Sequence, residues 1–156
     1  MAKVIPTKPL LVLLYGMPGS GKTAFARQLC DQLVAVHVQG DRMRSELFEK
    51  PTYNKNENHI VSSLMEYMTS EFLNAGVSVV YDTNALRAAQ RLRLRNMAHK
   101  AGAETILIWV QIDTESAFTR ASRRDRRKVD DRHAQQLDRP TFDTTLAGMQ
   151  NPTTTE

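Results

Sequence analysis

Leu10–Thr23 reads LLVLLYGMPGSGKT. The first six residues are an unbroken apolar run that stops at glycine, the pattern of a parallel strand covered on both faces. The next eight match G-x-x-x-x-G-K-[ST], in which glycines let the backbone curl with its N–H groups turned inward toward phosphate oxygens. Beyond them, Phe25, Ala26, Leu29, Cys30 and Leu33 recur at three- and four-residue spacing, so a helix begins where the glycines end. Strand, glycine loop and helix stand in the order that anion binding at a helix N-terminus requires.

The stretch Gly16, Met17, Pro18, Gly19, Ser20, Gly21, Lys22 and Thr23 is therefore expected to cradle a nucleotide triphosphate. Lys22 should reach the β- and γ-phosphates, and Thr23 should turn its hydroxyl to Mg²⁺. The plainer alternative is a flexible βα turn with an exposed lysine. ATP and Mg²⁺ are the cofactors the pattern implies. The four histidines form no metal-spaced pair, and no nucleophile stands beside an assembled base.

Outward from this stretch the pattern repeats. Val34–Val38 reads as a second strand, followed by Asp41 and a helical turn over Arg42–Phe48. Lys50–Asn58 reads as a loop, and Ile60, Val61, Leu64, Met65, Met68 and Phe72 mark an amphipathic helix that Gly76 ends. Val77–Tyr81 is a third strand, a basic helix then runs from about Leu86 to Gly102, and Thr105–Ile112 is a fourth strand. Ser116 to about Lys128 reads as an Arg-rich helix. Phe142, Leu146 and Met149 anchor a last short helix, and NPTTTE is expected to fray.

Strands alternating with helices predict an α/β fold: a parallel sheet of four or five strands with helices on both faces and right-handed crossovers. At 156 residues one domain, 1–156, is expected, with 130–156 as a short, partly frayed extension. The composition, 41% hydrophobic and 24% charged, excludes a disordered chain. The apolar run Pro9–Tyr15 is too short to cross a bilayer and no signal peptide is legible, so the expected address is the cytoplasm. The single Cys30 reads as a packing residue.

A net charge of +4 favours anionic partners. Four Arg and one Lys lie between Leu86 and Lys100 with no acidic residue, and seven basic residues face three Asp between Arg120 and Arg132. The first run is a candidate nucleic-acid surface. In the second, Arg120 and Arg124 stand one helical turn apart and could both lean on one phosphate chain; a solvated charged face is the alternative.

Ligands of open α/β sheets bind at the carboxyl ends of strands. Asp41 with Arg44 follows the second strand, and Asp82 with Thr83 and Asn84 follows the third. Asp41 could accept the proton of an attacking hydroxyl, or simply cap a helix. Asp82 could hold Mg²⁺ or orient an acceptor, or serve a turn.

Four blocks, GMPGSGKT, DRMR over 41–44, VVYDTN over 79–84 and TRASRRD over 119–125, together resemble the kinase domain of the polynucleotide 5′-kinase family, an AAA-type small P-loop kinase domain. The resemblance implies ATP on the loop, a general base at Asp41, an acceptor-contacting arginine at Arg44, an acid shaping the acceptor side at Asp82 and a lid arginine at Arg124. It implies transfer of the γ-phosphate to a hydroxyl, foremost a nucleic-acid or nucleotide 5′-hydroxyl. The same blocks occur in kinases of sugars, antibiotics and nucleotides, so a small alcohol is an alternative acceptor. A further alternative is an ATP-gated binding module that transfers nothing.

Overall fold

The computed structural model describes residues 2–84 and 86–156. Four parallel strands, β1 (Leu10–Tyr15), β2 (Ala35–Gln39), β3 (Ser78–Asp82) and β4 (Glu104–Trp109), form one sheet in the order β2-β3-β1-β4. Its centre is β1, paired with β3 from Leu11↔Val79 to Leu13↔Tyr81 and with β4 over six residue pairs. Because successive side chains point to opposite faces, the apolar run of β1 feeds two cores at once. Leu11, Leu13 and Tyr15 pack on one face with α3 (Lys55–Asn74) and α4 (Ala88–Lys100). Val12, Leu14 and Val80 pack on the other with Phe25, Ala26 and Leu29 of α1 (Lys22–Gln32).

Short β-branched strands and apolar helix faces form where their periods predict. α3 buries Val61, Met65, Thr69 and Leu73, and Gly76 at φ 79° takes the left-handed turn that stops it. Its start lies inside the segment read as loop: Asn54 accepts from the Glu57 N–H and caps a helix that begins at Lys55. α2 (Gly40–Leu47) follows β2 without a linker, which puts Asp41 in its first turn; Gln39, not Asp41, is the capping residue.

Three further expectations are corrected. First, the Arg-rich helix is shorter: α5 (Thr114–Ser122) ends before Arg123, because Ala117 and Ala121 are the last residues it buries. Arg124 lies past the helix end, so it does not share a helical turn with Arg120. Second, the chain's last residues are docked. Glu156 is bound by Arg91, the Tyr15 hydroxyl donates to Asn151 Oδ1, and the Ala88 N–H donates to Gln150 Oε1. Third, the basic helix α4 is not a free cationic face. Arg91 is fully buried, Arg91 and Arg95 pair with Glu156, and Arg93 pairs with Glu66.

α6 (Arg139–Ala147), capped by Asp138, sets Phe142 and Leu146 against Ala117 and Ala121 of α5 in a small third core that reaches Met17 of the glycine loop. No helix among the described residues is long and apolar enough to cross a membrane.

Candidate active site

The carboxyl ends of β1, β2 and β3 open onto one cavity of about 280 Å³. Gly19, Gly21, Lys22, Thr23, Asp41, Asp82, Thr83, Asn84, Arg120 and Arg124 line it. These are most of the residues the sequence nominates. Gly16, Met17, Pro18, Ser20 and Arg44 lie outside the lining.

The glycine loop has a specific backbone requirement. Gly19 has φ 82°, and a Cβ there would stand 2.1 Å from the carbonyl oxygen of Ala117, so the loop can pack on α5 only without a side chain. Gly21, at φ 100°, hands the chain into α1, and no side chain caps that helix. Its first amides, with the positive end of the helix dipole, are left for an anion. The Ser20 hydroxyl is buried without a partner, a second unused polar group in the same loop.

Lys22 is 4% exposed, and its ammonium donates to the Gly16 and Met17 carbonyl oxygens at 2.9 Å. Burial pulls it down to about 8, against the pull of the Asp82 and Asp41 carboxylates, which favour its charged form. Thr23 Oγ1 donates to Asp82 Oδ2 at 2.8 Å, joining the start of α1 to the end of β3. The same carboxylate oxygen accepts from His37 Nε2 at 2.9 Å.

Asp41 faces this group from α2. Burial first, and the nearby Asp82 carboxylate second, push it up to about 6, with Arg124, Lys22 and Arg44 opposing. A carboxyl so placed exchanges its proton near neutrality.

Arg44 is taken up elsewhere. Nη1 donates to Glu57, Nη2 donates to Asn58 Oδ1 at 2.6 Å, and the guanidinium lies 4.5 Å from the centre of the Tyr53 ring. Burial pushes the Glu57 carboxyl up, but hydrogen bonds from Thr52, Arg44 and the Tyr53 N–H outweigh it and bring it to about 2. Arg44 thus braces the 52–58 turn beside Asp41, and Tyr53 is held there at φ 58°.

Arg123, Lys128, Asp130 and Asp131 also line the cavity and are not nominated by the sequence. Arg123 and Lys128 fall in the run read as helix and Asp130 and Asp131 in the polar stretch beyond it, and all four lie in the irregular segment past the end of α5. Arg124 Nη1 donates to Asp131 Oδ1 at 2.9 Å while its Nε is buried without a partner. Arg27 of α1 grips Asp130 at 2.8 Å, and Ser45 of α2 meets His133 at 2.9 Å, so the segment is strapped to both sides of the cavity.

A loop with unused amides, a buried lysine, a threonine–aspartate pair and a second carboxyl meet at one cavity of a P-loop kinase-like domain. The model of the AAA domain family matches residues 11–152, and the chain belongs to that family. No curated protein matches.

Among solved structures, a chain of the Pnkp1/Rnl/Hen1 RNA repair complex superposes with TM-score 0.72 at 17% identity, covering 91% of this chain and 44% of that one. Kti12 from Chaetomium thermophilum, in complex with ADP-AlF3, gives 0.71 at 19% identity, covering 94% of this chain and 83% of that one. A sugar kinase from Janibacter sp. gives 0.66 at 17% identity over 96% of this chain and 82% of that one. At these identities the likeness shows the fold. The chain spans less than half the length of the repair-complex chain.

Proposed function

We propose that this chain transfers the γ-phosphate of ATP to a hydroxyl, with Mg²⁺. The observation that carries the reading is the convergence of Lys22, Thr23, Asp82, Asp41 and Arg124 on one cavity at the uncapped start of α1. In this reading the loop amides and Lys22 hold the β- and γ-phosphates, and Asp41 takes the proton of the attacking hydroxyl as its oxygen bonds to phosphorus. ADP leaves with the electrons of the broken bond, and Arg124 and Arg120 offset charge on the moving group.

The donors available for a cation, Thr23 Oγ1 and the Asp82 carboxylate, are hard oxygens and few. That set fits Mg²⁺, which keeps water and phosphate ligands. Thr23 Oγ1 and the Asp82 carboxylate would hold the ion, which would supply positive charge against the phosphates.

The leading acceptor is a nucleic-acid or nucleotide 5′-hydroxyl, in line with the four sequence blocks. A second acceptor class, a small alcohol such as a sugar or antibiotic, gains from the ion pairs that occupy Arg91, Arg93 and Arg95 and so deplete α4 as a polyanion surface. The deciding experiment incubates the protein with γ-labelled ATP, Mg²⁺ and a panel of 5′-hydroxyl oligonucleotides, nucleosides, sugars and aminoglycosides. Label on one class, lost in Asp41→Asn, is the expected result. Label on none overturns the kinase reading.

A further inference from the structure

His37 is a polar residue in an edge strand whose neighbours Ala35, Val36 and Val38 all serve the core. The register pairs His37 with Val80 and Gln39 with Asp82. With a side-chain period of two, His37, Val80 and Asp82 share the α1 face of the sheet, and His37 and Asp82 are diagonal neighbours, close enough for a long side chain to bridge. The contact is made at 2.9 Å, between a histidine side chain 21% exposed and a carboxylate 4% exposed. A carboxylate oxygen accepts, so Nε2 is the nitrogen that carries the hydrogen.

We propose that His37 is a positioning residue that holds the Asp82 carboxylate in the orientation its metal role requires. The inference rests on the nucleotide–metal site proposed above. Two donors, Thr23 Oγ1 and His37 Nε2, meet on the single oxygen Oδ2. Among the described residues Oδ1 accepts no hydrogen bond, so the pair of donors fixes the rotation of the carboxylate and leaves Oδ1 for the cavity that Asp82 lines.

Thr23 alone is a weaker anchor, because its hydroxyl rotates and is itself nominated to turn toward the cation. Lys22 is the competing partner: Asp82 is the carboxylate that most favours its charged form. Without the imidazole, the carboxylate is free to swing toward that ammonium and away from the cation. Groups that orient a metal ligand from behind typically matter by 10–100-fold in metal affinity.

The test measures Mn²⁺ binding, not turnover. Electron paramagnetic resonance follows free Mn²⁺ during titration of the full chain with AMP-PNP present, for wild type, His37→Leu and His37→Gln. Nucleotide binding without metal is measured in EDTA, and thermal melting checks each fold. The expected outcome is a roughly 10-fold or greater weakening of Mn²⁺ by His37→Leu. Metal-free nucleotide affinity should be unchanged, and most of the loss should be restored in His37→Gln, whose amide keeps a donor. Equal Mn²⁺ affinity in wild type and His37→Leu overturns the positioning role alone, as does an equal loss in both variants. Wild type that retains no Mn²⁺ with AMP-PNP overturns the site reading and this inference with it.

Discussion

Arg91 donates through Nε and Nη2 to both carboxylate oxygens of Glu156, at 2.7 and 2.9 Å, across 65 residues of chain. Arg91 is 0% exposed, its Nη1 is bound to the Leu86 carbonyl oxygen, and its guanidinium lies 5.0 Å from the centre of the Tyr15 ring. The arginine therefore packs beneath the strand that carries the phosphate loop, and the last residue of the chain neutralises it.

Removing one member of such a pair leaves a charge buried without its partner. Glu156→Gln should lower stability by on the order of 3 kcal/mol in urea unfolding at pH 7. The Arg91 hydrogen bonds hold the Glu156 carboxyl below its ordinary range. A depressed acid contributes stability that is full above its unfolded value, near 4.5, and lost as pH falls through its folded value. The gap between wild type and variant should accordingly narrow below pH 4. A gap that stays constant down to pH 3 would show that the charge pair is not its source.

Asp41 carries the opposite sign. Its carboxyl is pushed up to about 6 by burial and by Asp82, so the native state favours its protonated form. The stability it allows is full below the unfolded value near 3.8 and is lost as pH rises through 6. Asp41→Asn should therefore melt several degrees higher than wild type at pH 8, reflecting on the order of 2 kcal/mol, and at the same temperature as wild type at pH 3.5. The same substitution should cost 10²-fold or more in phosphotransfer. A gain in stability with a loss of function is the mark of strain kept for chemistry. Calorimetry and a transfer assay on one preparation check both halves.

The wild-type rate should rise with pH toward a plateau above 6, as Asp41 gives up its proton. It should fall again above 8, where Lys22 loses its charge. Lys22→Met should remove the alkaline limb along with most nucleotide affinity. An alkaline limb that persists in Lys22→Met assigns it to another group.

Arg124 is bound to Asp131 across the cavity that both line. A phosphate chain must compete with that carboxylate for the guanidinium. Asp131→Asn should tighten ATP several-fold by removing the competitor and one negative charge from the cavity, while Arg124→Ala should lower kcat by about 10²-fold. Calorimetric titration with ATP decides the first and steady-state kinetics the second. Weaker ATP binding in Asp131→Asn would make the aspartate a brace for the arginine instead of its rival.

What the sequence makes legible is what local chemistry determines. Leu10–Thr23 carries its own strand, turn and helix signals, and β2 and β3 announce themselves as β-branched runs ending in polar residues. The end of α5 is hidden because SRRDRRK has adequate helix propensity, and only the lack of a buried face past Ala121 stops it. Arg91 looks like one more surface cation until Glu156, 65 residues away, is folded against it. His37 sits inside a run that reads as plain strand, and its meaning depends on a register that only the assembled sheet supplies. Asp130 and Asp131 lie in a polar segment without period, where tertiary ion pairs alone give them a place.

The arginine pairs of α4 also set a limit on how a polyanion can bind. Of the basic side chains from Arg87 to Lys100, Arg91 and Arg95 share the single Glu156 carboxylate and Arg93 pairs with Glu66, which leaves one arginine charge uncancelled beside Arg87 and Lys100 to meet phosphates. For a single strand the slope of log K against log salt is about −0.7 for each phosphate contact, so this stretch can contribute no more than roughly −2.1. Oligonucleotide affinity measured from 50 to 300 mM salt should therefore show a shallow slope from this face, unchanged by Arg93→Ala because that guanidinium is already spent on Glu66. A slope steeper than about −3 would require phosphates to track another surface, the Arg123–Lys128 segment above the cavity being the nearest run of cations. In that event Arg126→Ala, outside the cavity lining, should flatten it while leaving ATP affinity in place, whereas Arg127 is already paired with Asp125.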